Sequence, residues 1–311
     1  MVIPFPGTLR SSAGSLSWLA EIANRRDVVD SKETIQFDLS NVRDFDANLC
    51  AALGVIIAKL RNSGDRMIEI SPTSPDEKTL AVFKRNGFLS ELPLPKVPWY
   101  ESLFGRDPEK SIQVALADDQ FVKMPYKKFK RQDVKSQTEY VGHLVESKWW
   151  PQMTAGVRDA LMDCILEVFN NAQEHSESEA GVFVCGHVGE VSPRLMRVSI
   201  ADAGIGFRQK IERVLGCVMS SAEAIEWGMT EGNTVRKDNP GGLGLKILKE
   251  FISKNNGKLS VLSDRGYWEL AAGKERKEEL ESSFPGTVIT IAVNTEDRKS
   301  YFLAGEDDAG K

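Results

Sequence analysis

Along the chain, stretches with apolar residues at every second position give way to stretches where they recur every third or fourth, and this change of period lays out the elements. Residues 33–71 read as one β-α-β unit: a strand in ETIQFDLS, a helix from about Ala47 to Arg61, and a second strand in RMIEIS. Leu49, Leu53, Ile56 and Leu60 form a single apolar stripe on that helix, suited to packing on a sheet. Asn62-Ser63-Gly64 stops it. A further helix starts at Pro75, whose ring fits a first turn, and ends at Asn86-Gly87, where glycine supplies a left-handed cap. A small α/β layer domain therefore closes near residue 90.

Pro93, Pro95, Pro98 and Pro108 then disfavour any regular element and mark a linker. SIQVALA reads as a strand. Residues 136–148 and 152–175 read as two helices separated at Trp149-Trp150-Pro151. Strands follow in GVFVCGHV and RLMRVSIAD, then a Gly-rich stretch, a helix from about Gly242, and strands in KLSVLS, GYWEL and GTVITIAV. Helices gathered early and strands late predict an α/β sandwich, helices over a mixed sheet. The division expected is residues 1–91, a connecting segment 92–135, a second domain 136–295 and a flexible polar tail 296–311.

Composition narrows the function classes. Lys and Arg total 40 against 45 Asp and Glu, a net charge of −5, so no global field draws the molecule to nucleic acid or anionic lipid. The basic run MPYKKFKRQDVK could meet phosphates but reads first as a solvated face. No apolar stretch approaches the roughly 20 residues of a membrane helix, and the start lacks a secretory core, so a cytoplasmic protein is expected. Cys50, Cys164, Cys185 and Cys217 stand singly, and His143, His175 and His187 show no helical metal spacing. Buried thiols, rather than zinc or disulfides, are the reading. Trp149, Trp150 and Trp227 read as core before partner surface.

The chemistry concentrates in three motifs of the second half. In ILEVFNNAQEHS, Leu161, Ile165, Val168 and Ala172 form the buried stripe, while Glu167 and Asn171 recur one turn apart on another face. Asn171 offers a neutral oxygen to Mg²⁺, and Glu167 can act as a general base. Asp202-Ala203-Gly204-Ile205-Gly206 lies where a strand ends, so an Asp that can accept from an exocyclic amine is followed by glycines allowing close approach. Gly241-Gly242-Leu243-Gly244-Leu245 opens a helix whose N-terminal N–H groups favour an anion. The interval from 207 to 240 could serve as a lid.

Together these motifs resemble the GHKL superfamily of ATPases, the Bergerat or histidine kinase-like fold. Glu167 to Asn171 is similar to its N box, Asp202 to Gly206 to its first glycine box, Gly241 to Leu245 to its second, and Phe284-Pro285-Gly286-Thr287 to its closing G-T strand. The resemblance covers residues 136–295. It implies ATP and Mg²⁺ as cofactors, the metal at Asn171, adenine at Asp202 and Thr287, and phosphates at Gly242 and Gly244. The phosphoacceptor box of sensor kinases is missing, since His143 lies among Val141, Leu144 and Val145, as in a packing helix. Glu167 at the first N-box position looks more like the anti-sigma serine kinases and hydrolysing ATPases.

The stretch from FDLS to RNSG resembles a STAS domain, with Asp46-Ala47-Asn48-Leu49 at the loop whose family pattern is D-S-[ST]-G. Ala47 takes the hydroxyl position and cannot accept a phosphoryl group, which leaves the domain as a fixed docking surface for a protein partner of STAS or anti-sigma type. The function implied is an ATP-dependent regulatory ATPase or serine/threonine-type kinase in a partner-switching module. A nucleotide-responsive interaction module without turnover is the alternative, and ATP-driven dimer closure lacks the transducer domain expected downstream.

Overall fold

A computed structural model describes residues 1–63, 67–71, 73, 79, 82–83, 86–92, 124–130, 132–174, 179–189, 191–230, 232–233, 243–303 and 305–306. The helix expected over 75–85 lies largely, and the SIQVALA strand wholly, outside them. Gly87 does adopt the left-handed conformation foreseen for a stop, at φ 75°.

The N-terminal unit is built on a parallel three-stranded sheet. β1 (Val2–Pro4) and β5 (Ile68–Ile70) flank β3 (Ile35–Asp38), with a short parallel pair from β2 (Thr8–Leu9) and β4 (Asp44–Phe45). Two helices pack here, α1 (Ala13–Ile22) and α3 (Cys50–Asn62), with a short α2 (Arg26–Val29) between β2 and β3. Ser12 caps α1, its Oγ accepting from Ser15 N. The β-α-β reading of residues 33–71 holds, whereas β1 and α1 were not anticipated. A single stripe on α3 falls short of what is found: Cys50, Ala51, Ala52, Val55 and Ile57 are buried as fully as Leu53, Ile56 and Leu60. A helix apolar all round must be covered all round.

The second cover is a five-stranded sheet of order β6-β7-β8-β10-β9, made by β6 (Lys127–Phe129), β7 (Val182–Val188), β8 (Leu195–Asp202), β9 (Lys258–Ala271) and β10 (Lys274–Asn294). Every described pairing in it is antiparallel, so the parallel strands of this α/β molecule belong to the N-terminal sheet. Phe183, Cys185, Ala201 and Val288 share one core with α1, α3 and the N-terminal strands. On the opposite face Val182, Val184, Val198, Ile200 and Ile291 pack with α4 (Val134–Val145), α5 (Ala155–Glu174) and α8 (Leu243–Asn255). Gly54 shows how closely α3 approaches: an added Cβ would stand 2.5 Å from Tyr126 Oη and 2.7 Å from Phe183 Cδ1.

Three regions hold structure beyond what the sequence predicts. KLSVLS and GYWEL are one strand, β9, bent at Asp264 (φ 52°) so far that Lys258 and Glu269 on that same strand form an ion pair. The interval read as a lid contains α6 (Gly206–Leu215) and α7 (Ser221–Met229), the latter opened by a Ser220–Glu223 capping box. The polar terminus is tied down well past residue 296, for Tyr301 pairs with Met153 and Glu306 accepts from Thr154 Oγ1 at 2.5 Å.

The Asp46–Leu49 loop of the domain expected to serve as a docking surface is turned onto the chain's own sheet. Asn48, fully buried, donates through Nδ2 to Ser199 Oγ on β8 (2.7 Å) and accepts from Ser11 Oγ (2.9 Å). Asp46 accepts from Ser11 N (2.7 Å) and lies 3.5 Å from His187 Nε2 and 3.7 Å from Arg197 Nε. Burial alone would raise its carboxyl; the His187 and Arg197 contacts and the Ser11 hydrogen bond outweigh burial and hold it well below the usual carboxylate range.

Candidate functional site

On β8 the two-residue period sends Met196, Val198, Ile200 and Asp202 to the face covered by α5. Thr287 on β10 stands directly opposite Asp202, Ser263 on β9 opposite Thr287, and Val182 on β7 opposite Asp202 from the other side. Cross-strand partners point the same way. Ser263, Thr287 and Asp202 therefore form one polar row at the end of an otherwise apolar face, and all three are buried.

Asp202 Oδ1 accepts from Gly204 N at 2.9 Å, closing the strand end into a turn. Among the described residues no cation pairs with this carboxyl. Desolvation pushes its pKa up to about 7, with the Gly204 hydrogen bond opposing the rise. Backbone approaches closely around it, for a Cβ at Gly286 (φ 141°) would fall 1.9 Å from Asp202 O. Gly206 (φ 72°) leaves only enough room for Ser263 Oγ, 2.6 Å from where its Cβ would be. Ser263 Oγ accepts from Phe207 N (3.0 Å) and lies 3.0 Å from Thr287 Oγ1.

Next to this row, Asp264 binds three elements at once. Its Oδ2 takes Arg208 Nε of α6 (2.9 Å) and Ser221 Oγ of α7 (2.8 Å), while Oδ1 takes Ser283 Oγ of β10 (2.6 Å). Burial opposes ionisation, but these donors prevail and its pKa is lowered. Sequence reasoning missed Ser263, Asp264, Arg208 and Ser221. The only local signal was a Ser-Asp pair at the end of KLSVLS, whose meaning depends on pairings with residues far along the chain.

On α5 the expected stripe is buried, and Glu167, half-buried, and Asn171, exposed, lie one turn apart beside Val168 and Ala172. Gly241 and Gly242 lie outside the described residues. Leu243 and Gly244 form the first turn of α8 by their backbone, and Leu245 is half-buried against the helical core. Leu245 also borders a cleft of about 410 Å³ lined by Lys246, Lys249 and Glu275, which the polar row does not enter.

Residues 156–297 match the family described as histidine kinase-, DNA gyrase B-, and HSP90-like ATPase. This segment is a GHKL domain. Among solved structures the chain is similar to the mycobacterial sensor histidine kinase MprB, at 21% identity over 54% of this chain and 97% of that one, with a TM-score of 0.26. It is also similar to the histidine kinase domain of the blue-light activated histidine kinase EL346 from Erythrobacter litoralis, at 14% identity over 91% and 94%, again at a TM-score of 0.26. Superpositions this loose transfer no residue. No curated protein matches the chain.

Within the GHKL domain, α8 runs for 13 residues, so the free N–H groups of its first turn carry a dipole that favours an anion. Among the described residues no three His, Cys, Asp or Glu side chains gather as metal ligands. The side-chain oxygen of Asn171 is a neutral donor of the kind a hard cation such as Mg²⁺ accepts. His143, in the last turn of α4, is exposed while Val141, Leu144 and Val145 pack on α5. Cys50, Cys164 and Cys185 are buried free thiols, and Cys217 is half-buried. Trp150 donates to Leu144 O at 2.7 Å and, with Trp149, packs at the core's edge. Lys127 and Lys128 of the basic run are exposed on β6, while Phe129 is buried. Among the described residues no helix is long and apolar enough to cross a membrane.

Proposed function

We propose that the chain is an ATP- and Mg²⁺-binding regulatory protein whose GHKL domain works as an ATPase or serine/threonine-type protein kinase in a partner-switching module. The observation that carries this is the direct pairing of Asp202 with Thr287 at a buried strand end flanked by Gly204 and Gly206. A buried carboxyl with little internal compensation is suited to an exocyclic amine, and Thr287 completes the base site. Gly241, Gly242, Leu243, Gly244 and Leu245 at the start of α8 would receive the phosphates. Asn171 would hold Mg²⁺, which when bound neutralises phosphate charge. Glu167, one turn away, would orient and deprotonate the acceptor water or hydroxyl as general base.

Titration with ATP and Mg²⁺ tests this reading. Saturable binding that is lost in Asp202→Asn supports it; absence of binding in the native protein removes it. Loss of phosphate release or transfer in Glu167→Ala with ATP affinity kept would assign the base.

A second reading, a nucleotide-responsive interaction module without turnover, is favoured by one feature. The N-terminal unit, which resembles a STAS domain, already grips the sheet through Asn48, Ser199 and Thr290, so binding on one face has a route to the other. A protein partner would then meet a surface other than the Asp46–Leu49 loop. A native protein that binds ATP with no measurable turnover or transfer would decide for this reading.

A further inference from the structure

Ser263 sits at the head of the polar row and touches no part of the nucleotide in the reading above, on which this inference rests. Its hydroxyl has one proton to give. It accepts from the Phe207 backbone N–H, a free donor in the first turn of α6. On its other side Gly206 crowds it, leaving no room even for a methyl group. Among the described residues the hydroxyl that faces it is Thr287 Oγ1, 3.0 Å away, and either of the two oxygens can be the donor. Accepting from an amide also strengthens a hydroxyl as donor, since hydrogen bonds in a chain polarise one another.

If Ser263 donates to Thr287, then Thr287 keeps its own proton to donate elsewhere. Asp202, directly across the β8–β10 pair, is an acceptor when ionised. The two side chains then offer an acceptor beside a donor, which complements a ring edge bearing an amine next to an unprotonated ring nitrogen. Adenine has that edge. Guanine and hypoxanthine present a carbonyl beside a ring N–H, the reverse polarity, and meet a mismatch at both positions.

We propose that Ser263 is a positioning residue that fixes the hydrogen-bond polarity of Thr287 and thereby selects adenine through its ring nitrogen. The decisive probe is 1-deaza-ATP, which keeps the amine but replaces that nitrogen by C–H. The native protein is expected to bind ATP about tenfold more tightly than 1-deaza-ATP, the size of one buried hydrogen bond left unmade. Thr287→Val brings the ratio to about one. Ser263→Ala brings it toward one by weakening ATP alone, a pattern that general destabilisation does not give, because that would weaken both nucleotides together. Ser263→Cys, close in shape and a poor hydrogen-bonding group, gives an intermediate ratio and serves should the alanine variant not fold.

Retention of the full native preference in Ser263→Ala or Ser263→Cys overturns the inference, as does equal binding of both nucleotides by the native protein; either result leaves the nucleotide site intact. Failure of the native protein to bind either nucleotide overturns the nucleotide reading and this inference with it.

Discussion

Asp46 and Asp202 are buried carboxylates on opposite faces of one sheet, and they have opposite electrostatics. Asp46 lies within reach of His187 and Arg197 and accepts a backbone N–H, so it is held ionised. Asp202 has the Gly204 N–H and no cation among the described residues, and burial raises it to about 7. Folding satisfied the first and left the second costly. An uncompensated buried carboxyl of this kind is what the proposed base site would use, since the amine of a base supplies the partner it lacks. The contrast separates a joint from a site: the N-terminal face of the sheet is closed by its own polar network, and the helical face ends in a row with capacity to spare.

The sharpest way to break this comparison is to unpair the joint. Asp46→Ala leaves His187 and Arg197 without their carboxylate and is expected to cost about 2–4 kcal/mol, less than the loss of one partner from a fully buried pair, because both basic side chains are partly exposed. Chemical denaturation reads the change directly. A loss below about 1 kcal/mol would make the Asp46 cluster a bystander rather than the joint.

The same substitution type should act in reverse at the site. Because Asp202 is raised above the unfolded carboxylate value, the folded protein binds the proton more tightly, so stability falls as pH rises from about 4 through 7 and stays at its lower level above. Asp202→Asn removes the charge that must be desolvated. It is expected to stabilise the ligand-free protein at both pH values, and by about 2–3 kcal/mol more at pH 8 than at pH 5, while abolishing ATP binding. For Asp46, lowered in the folded state, stability is complete above the unfolded value near 4 and is lost as pH falls below it. Equal pH profiles for native protein and Asp202→Asn between 5 and 8 would remove the contrast.

Much of the helical face could be read from sequence because it is periodic. Leu161, Ile165, Val168 and Ala172 declare a buried stripe on α5, and the strand-end position of Asp202 follows from the alternation in RLMRVSIAD. The joint was not legible. Asp46 and Asn48 find their partners at His187, Arg197 and Ser199, which only tertiary docking brings close. Ser263 depends in the same way on pairing with Thr287. One clue was available: the run CAALGVIIA on α3 is apolar on every side, which already required a cover beyond the N-terminal sheet. Gly54 tests that cover. Gly54→Ala gains helix propensity but forces a Cβ onto Tyr126 and Phe183, and overpacking is expected to prevail with a net loss of about 1–2 kcal/mol. A variant as stable as native would show that the α3 contact is loose.

The smallest expected effect tests the site without altering the protein. If the amine of the base is received by ionised Asp202, the form competent to bind grows as pH passes through about 7. Protonated Asp202 presents a donor to a donor, so affinity falls with the ionised fraction. Between pH 6 and pH 8 the affinity for adenosine should rise about tenfold, near 1.4 kcal/mol. Adenosine is the better probe here because, unlike ATP, it carries no phosphate titrating in this range. Asp202→Asn should lose the slope along with most of the affinity, and Asp46, whose ionisation is complete well below pH 6, contributes none of it. An affinity flat across this range would mean that the carboxyl is already ionised before the base arrives, and the two aspartates would then differ in position but not in kind.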